Sequence, residues 1–591
     1  MNQFSDNKSN YDKYPVVNVP NKSLTCFKGW QEITEELDCK IKSINKLKKI
    51  IVIECYQGVY KEEIKQSINN AFPEAVFFDS EEAMISEKQI NEKFRDEITD
   101  DEIFGHLTTY SLEDFFSRGK VANLKKRINK STAELIFIYG TGAAYIQDES
   151  DLLIYIDMAR WEIQMRFRRN EINNLGVSNL NERPSIQYKR AFFVDWRVCD
   201  KFKKKLMRKW DYIFDTNTSG HPKMISGKSF WAGMEQAIKQ PIRVVPFFDP
   251  GPWGGQWMKE ICDLDKDVIN YAWCFDCVPE ENSLLLGFGD TKFETPSINL
   301  VFAFPSELLG NPVHARFGDE FPIRFDFLDT MNGGNLSLQV HPLTEYIQEK
   351  FGIPYTQDES YYMLDANDDA VVFLGLKDGV VSDEMISDLI KSQNSGKFDV
   401  EKYVGKYKVK KHDHVLIPAG TVHCSGANSM VLEISATPYI FTFKLWDWNR
   451  LGLDGRPRPI NIEHGKNAIQ WERTESYVKN QLINQVVKIG EGDGWIEEKT
   501  GLHEREFIET RRHSFSKSVL HKTNGSVNVL NLVEGREIII ESPSDSFDPF
   551  VIHYAETFII PEYVKEYTIR PFGESIGKEC ATIKAYIRTH A

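Results

Sequence analysis

No run of apolar residues in this chain is long enough to cross a bilayer, and its first 22 residues carry no apolar core of a secretory signal. Cysteine is sparse. Nine are scattered through 591 residues without the spacing of a disulfide framework, which suits a reducing compartment. The one close pair, Cys274-Phe-Asp-Cys277, has no second pair to complete a zinc or redox motif, so it reads as two unpaired thiols near a strand. Positive charge is short as well. A formal net charge of -15 argues against general binding to nucleic acid, while leaving room for a local basic groove. A soluble, cytoplasmic protein with no membrane or nucleic-acid partner is expected, and its oligomeric state is not legible.

What is present is ordinary globular composition, 41% hydrophobic and 27% charged, in a chain too long for one core. Roughly two to four domains are expected. Residues 1–45 read as a polar lead-in with an amphipathic helix over 30–42. Short apolar runs at 49–54, 75–79, 134–139 and 152–157 then alternate with helical stretches at 60–71, 158–170 and 202–211. That alternation predicts a three-layer α/β domain over 46–245, ending in a connecting helix at 230–239 and a proline-marked boundary at 241–246.

A phosphate-binding loop needs glycines for close backbone approach and a lysine before Ser or Thr. The first strand instead turns through Glu54-Cys-Tyr-Gln-Gly-Val-Tyr-Lys61, with one glycine and no Lys-Ser/Thr. Arg160, Arg166, Arg168 and Arg169 offer either an anion site or, the better reading, a solvated helix face. With Leu112-Glu-Asp-Phe-Phe116, Ile138-Tyr-Gly-Thr-Gly-Ala143 and that basic helix in this order, residues 45–215 resemble uridine-kinase-like P-loop domains. The resemblance lacks the phosphate motif, so it implies a degenerate kinase-like domain, a scaffold or regulator rather than a phosphotransferase.

Beyond Trp253 the texture changes to short β-like runs: 283–287, 298–304, 323–328, 336–340, 361–364, 370–376, 414–417, 429–434, 440–446, 526–532, 537–541, 557–560 and 582–587. Helices interrupt at 344–351 and 381–394. Two mainly-β modules of sandwich or barrel type are expected, over 246–500 and 501–591.

One strand stands out. In Leu336-Ser-Leu-Gln-Val-His-Pro342, alternation puts Leu336, Leu338 and Val340 on one face and Ser337, Gln339 and His341 on the other. Glu359 follows eighteen residues after His341, and His423 closes Ile417-Pro-Ala-Gly-Thr-Val-His423. Imidazole nitrogen and carboxylate oxygen suit a zinc-type ion with open positions for substrate. Spacing alone leaves two readings, a metal site or four unrelated polar residues.

The pieces Pro252-Trp-Gly-Gly255, Phe325-Asp-Phe-Leu-Asp329, Leu336 to Pro342, Glu359-Ser-Tyr-Tyr-Met-Leu364, Val415 to His423, Leu432-Glu-Ile434 and Thr442-Phe-Lys-Leu-Trp-Asp-Trp-Asn-Arg450 resemble, in order and spacing, class I mannose-6-phosphate isomerases. That family has a cupin fold and uses zinc. The resemblance implies a double cupin, with one zinc per chain held by Gln339, His341, Glu359 and His423 in the first half and a metal-free second half. It implies that Ser337 lies near substrate, a sugar phosphate, and that mannose 6-phosphate and fructose 6-phosphate interconvert through an enediol(ate).

Two positions depart from the family. Gln357 stands where a lysine is usual and can neither act as a base nor carry charge. Lys444 replaces an arginine, keeping the charge but losing the bidentate fork. Arg450, with His412 and His414 around Asp413, are further local candidates for the lost roles, the two histidines more readily decorating a turn. Those departures, with the missing phosphate loop, keep open a second reading, a sugar-phosphate- or nucleotide-sensing protein derived from disabled enzymes. A live kinase–isomerase would need ATP bound at the turn ending in Lys61.

Overall fold

The computed structural model describes residues 9–20, 24–436, 439, 441–501, 503 and 506–589. The molecule is multidomain and of mixed α/β content, and every sheet has an amphipathic or wholly apolar reason to exist. Residues 1–8 of the expected lead-in, and Ile440 at the start of the expected 440–446 strand, lie outside the described residues.

The N-terminal sheet runs in the order Cys26–Lys28, Lys223–Ser226, Tyr212–Asp215, Leu152–Asp157, Lys49–Cys55, Leu135–Gly140, Val76–Asp79. The last five are mutually parallel. Their centre is apolar on both faces (Ile51, Val52, Ile53; Ile136, Phe137, Ile138), as a sheet covered by helices on both sides must be. Gly29–Ser43 and Lys61–Ala71 cover one face, burying Ile33, Leu37, Ile41, Ile64 and Ile68. The helix Gly227–Ile238 leads out to the proline-rich connector.

The turn after Lys49–Cys55 is filled by the protein itself. The Glu54 carboxylate accepts from the Gly142 and Ala144 N–H groups at 2.7 and 2.8 Å. The fully buried Arg166 donates to the Gly58 carbonyl at 2.9 Å and the Thr216 carbonyl at 2.8 Å. The arginine cluster is split: Arg160 and Arg166 are buried, Arg168 and Arg169 stay exposed as a solvated face would be, and all four are engaged by carboxylates. Arg160 pairs with Asp200, Arg166 with Glu162, Arg168 with Asp249, and Arg169 with Glu162 and Glu171.

The first β module is a sandwich. One sheet has the order His414–Ile417, Glu359–Ala366, Ser429–Ser435, Arg324–Asp329, Trp273–Cys277, Phe247–Asp249. The facing sheet runs Val404–Lys408, Val371–Leu376, His423–Ser425, Leu338–Val340, Phe443–Trp446. Cys274 and Cys277 are buried free thiols on the Trp273–Cys277 strand.

Two expectations fail here. Residues 298–304 form a helix, Ile298–Ala303, instead of a strand. A short apolar run carries no period to separate the two. Tertiary pinning decides, since Asn299 bonds Asp157 of the N-terminal domain at 2.8 Å and Thr295 one turn back at 2.9 Å. The last module also begins before 501. Its six-stranded sheet (Val487–Gly492, Trp495–Gly501, Ile508–Phe515, Cys580–Ile587, Asn528–Glu534, Thr557–Ile560) starts at Val487, because that hairpin pairs onward with Ile508–Phe515. Its facing sheet is Val519–Lys522, Glu566–Pro571, Glu537–Glu541, Phe550–His553.

The parts interlock. Val16–Asn18 runs parallel to Ser283–Phe288, and Tyr11 donates to Asp276 at 2.6 Å. Arg243 of the connector is buried against Glu556 of the last module at 2.8 Å. Among the described residues no helix is long and apolar enough to cross a membrane.

Candidate metal centre and substrate cavity

Three side chains from the two facing sheets meet inside the first sandwich. His341 follows the Leu338–Val340 strand, His423 opens its neighbour, and Glu359 opens a strand of the opposite sheet. All three are fully buried side chains. His341 Nε2 lies 3.1 Å from one Glu359 oxygen, and His423 Nε2 lies 2.8 Å from the other. Yet His341 Nε2 and Glu359 Oε1 have no hydrogen-bond partner among the described residues. Acceptor atoms left unpaired at such separations face a common point rather than each other, and a buried polar atom left so is costly unless something joins it.

The backs of both rings explain the aim. His341 Nδ1 is 2.8 Å from the Phe441 carbonyl, and His423 Nδ1 is 2.8 Å from the Thr421 carbonyl. A carbonyl only accepts, so each Nδ1 carries the proton and each Nε2 presents a lone pair. The three residues form a group able to hold a metal ion. Gln339 is directly opposite His423 across the strand pair, with its amide 3.3 Å from His423 Nε2. Turning that amide over brings its oxygen to the same point. Burial works to raise the Glu359 carboxyl, but the two imidazoles prevail and hold it well below the usual carboxylate range.

Above this group lies a cavity of about 230 Å³ lined by Ser337, Gln339, Gln357, Lys444, Arg458 and Glu433, with Trp253 and Trp273 as an edge-to-face wall (4.7 Å, 76°). Lys444 stands opposite Gln339 on the adjoining strand, and its ammonium has neither a hydrogen bond nor an ion pair among the described residues. Burial first, then Arg458 and Arg450 against the opposing pull of Asp447, bring it down to about 7.

Ser337 donates to Asp447 at 2.8 Å and accepts from Arg458 at 3.1 Å. Asp447 is the hub: its other oxygen takes Arg458 at 2.9 Å, and Arg450 grips it at 2.7 Å. Arg450 lines no part of this cavity, so its expected place among the reacting groups gives way to bracing Asp447 from behind. Gln357 is spent on structure, donating to Glu359 at 2.9 Å and accepting from the Phe441 N–H at 3.0 Å. His412 and His414 do not reach the cavity. The first bonds Tyr362 and Glu534, and the second is sealed in the strand.

Trp273, Thr442, Lys444 and Arg458 also line a wider outer chamber of about 850 Å³. Its far wall comes from the N-terminal domain, through Arg168, Arg183 and Tyr188, and its rim from the loop carrying Arg456. Arg458 left no sequence signal, because it sits in a loop after the last strand of the sandwich, and Asp447 was carried only within the Thr442 to Arg450 segment, without a role. Glu433 had one, an acidic residue between Leu432 and Ile434 on a strand, facing inward. Burial and then Glu359 and Asp326 push its carboxyl well above the ordinary range.

Residues 29–239 match a family model described as a domain of unknown function (DUF8485). Part of the chain is similar to the mannose-6-phosphate isomerase ManA of Bacillus subtilis, 28% identical over 232 residues, which is 39% of this chain and 68% of ManA. A mannose-6-phosphate isomerase of Streptococcus mutans is 25% identical over 219 residues, 37% of this chain and 64% of that protein. The solved structure of a mannose 6-phosphate isomerase from Bacillus subtilis aligns with 59% of this chain and 99% of its own, at 20% identity and a TM-score of 0.48. This chain is thus similar over part of its length to proteins named mannose-6-phosphate isomerase, and over residues 29–239 to a family without a described function.

Proposed function

We propose that this protein is a zinc-dependent aldose–ketose isomerase that interconverts mannose 6-phosphate and fructose 6-phosphate through an enediol(ate). The convergence of His341 Nε2, His423 Nε2 and the Glu359 carboxylate on one buried point carries the reading. Similarity to proteins named mannose-6-phosphate isomerase supports it. His341, Glu359, His423 and Gln339 would hold one zinc ion, which when bound polarises the oxygens of the sugar.

The chain's own residues have the remaining tasks. Lys444, half-buried beside Gln339 with no hydrogen bond or ion pair among the described residues, is the group proposed to move the proton between adjacent sugar carbons, and a position near neutrality suits an amine for that work. Arg458, fixed by Asp447 and Ser337, supplies positive charge for the phosphate. The two tryptophans exclude water from the sugar. In this reading the N-terminal domain is a scaffold of kinase-like ancestry that walls the outer chamber. Glu54 and Arg166 occupy the ground a nucleotide phosphate would need. Nine free cysteines fit a cytoplasmic setting.

Metal analysis together with a coupled assay on mannose 6-phosphate tests the proposal. One zinc per chain with turnover is expected. Binding of the sugar phosphate without turnover would instead give the sensing reading, and absence of both metal and binding would sink both.

A further inference from the structure

The C-terminal sandwich has its own polar pocket, which the proposed reaction does not touch. It encloses about 320 Å³ and is lined by Glu497, Arg511, His513, His521 and Lys584 among others. His513 comes from Ile508–Phe515 of one sheet and His521 from Val519–Lys522 of the other, so two imidazoles face each other across the sandwich, 4.4 Å apart and nearly perpendicular (86°). Each is 3% exposed. His521 is backed by the parallel ring of Tyr567 at 5.2 Å.

The hydrogen bonds here do not close. Glu497 is satisfied by His513 Nε2 at 3.1 Å and by Arg511 at 3.0 Å. That leaves His513 Nδ1, His521 Nε2 and the hydroxyl of Thr582, which pairs with His513 across the ladder, without a partner among the described residues. Lys584 is 6% exposed and likewise has no hydrogen bond or ion pair among the described residues. Other charges around the pocket are matched, with Arg511 also on Glu509 at 2.7 Å and Lys522 on Glu566 at 2.7 Å. A sandwich built only for stability would fill this space with apolar side chains, as it does a few residues away with Phe515, Leu530, Leu532 and Ile538.

We propose that this pocket is a second binding site, for a small oxyanion of the phosphoryl class, held by Lys584 and His521 with His513 as its wall. The sign of the charge selects the ligand. A metal cation would meet the Lys584 ammonium, and the only carboxylate on the pocket wall is already engaged by two donors. Among the described residues, no third metal-ligating atom joins the two imidazoles as one does at Glu359. An anion with several oxygens meets the Lys584 ammonium, which among the described residues has only the face of Tyr586 at 5.8 Å beside it. It also meets the N–H that His521 can present at Nε2, while His513 keeps its proton on Nε2 toward Glu497 and shapes the wall. The phosphoryl group may be free or carried on a sugar, since both present the same oxygens. The site stands apart from the first sandwich, so it does not depend on the isomerase reading.

The test follows the imidazole signals of His513 and His521, in full-length protein carrying ¹³C-labelled histidine, during titration with inorganic phosphate and separately with mannose 6-phosphate. Arg458→Ala protein weakens the first cavity's hold on phosphate in the comparison, since it lacks the guanidinium fixed there by Asp447. Saturable shifts of both signals are expected with phosphate, and at least tenfold weaker saturation in Lys584→Met. If the sugar phosphate saturates them at lower concentration, the phosphoryl group is sugar-borne; if phosphate does, it is free. His521→Gln is the second variant, chosen to keep size and polarity should Lys584→Met melt early, and it too should weaken binding. Signals that stay fixed in both titrations, or an unchanged midpoint in both variants, would overturn the proposal.

Discussion

Lys444 and Gln339 stand directly opposite each other on adjoining antiparallel strands, so a half-buried ammonium with no ionic partner among the described residues borders the group of converging ligand atoms. Nothing in the packing requires a cation there, and its burial opposes the charge. Lys444→Met should therefore cost little stability and lower kcat by about 10²-fold or more, the usual scale for loss of a positioned acid–base group. Metal content should stay at the wild-type value. Retained turnover in Lys444→Met would remove this residue from the chemistry.

Glu359 touches both imidazoles, and its loss should be the more drastic change. Glu359→Ala and His341→Ala are expected to bring bound zinc from one per chain to near none, read by elemental analysis. Chelator-treated wild type should remain folded, because the Nδ1 bonds to Phe441 and Thr421 hold both rings without help. Its melting temperature should fall and recover on adding zinc, as ligand linkage requires. A variant that keeps its metal would show that the ligands are elsewhere.

Arg458 should behave differently from Lys444. Its guanidinium is held by Asp447 and Ser337 in a fixed pose at the junction of the two cavities. Arg458→Ala should raise KM for the phosphorylated sugar by about tenfold or more, the scale of one lost charge-assisted contact. Asp447→Asn should do the same more weakly, by loosening Arg458. An unchanged KM in Arg458→Ala would place the phosphate elsewhere.

Glu54 makes a prediction about stability. Burial pushes its carboxyl up to about 8 from an ordinary 4.5, against the two N–H bonds it accepts. A raised folded value means the native state keeps a proton that the unfolded chain releases. The contribution is therefore complete below about pH 4.5 and is lost as pH climbs through about 8. Urea melts at pH 5 and pH 8.5 should show wild type losing more stability over that span than Glu54→Gln. Equal losses would mean that Glu54 is charged when folded. ATP should leave the melting temperature unchanged, since the turn ending in Lys61 has one glycine and no Lys-Ser/Thr to hold phosphate.

The outer chamber predicts a role for the N-terminal domain. Arg168 grips Asp249 through two bonds of 2.7 Å and lines the chamber wall. The side chain is partly exposed, so Arg168→Ala should barely move stability. It should shift KM while leaving kcat within about twofold, the mark of a wall rather than a reacting group. A fall in kcat with KM unchanged would contradict that role.

The strand Leu338–Val340, shorter than the expected 336–340, was legible because polar and apolar residues alternate strictly around it, and Glu359 and His423 because they sit at strand openings in recognisable segments. The α/β order was legible because parallel strands are continuous apolar runs. Arg458 and the N-terminal wall were not, since each reaches its cavity from a loop or another domain, and neither was the part of Asp447 in fixing Arg458, a pairing no local pattern encodes. The arginines on 160–169 misled for the same reason. A basic helix looks solvated until the carboxylates that neutralise it arrive from Asp200 and Asp249. The helix at 298–303 shows the limit of period counting, because Asp157, far off in sequence, chose its form.

The strand Val16–Asn18 has a kinetic meaning as well as a structural one. It is made early but finds its partner only when residues 283–288 have formed a ladder, and Asp12 beside it bonds Glu556 at 2.6 Å. The N-terminal α/β domain can fold as it emerges, yet this clasp must wait for nearly the whole chain, and closing such a long loop is slow. The Asp12–Glu556 bond is thus a natural last step of assembly, and a chain halted before residue 556 would hold this strand by its pairing with 283–288 alone.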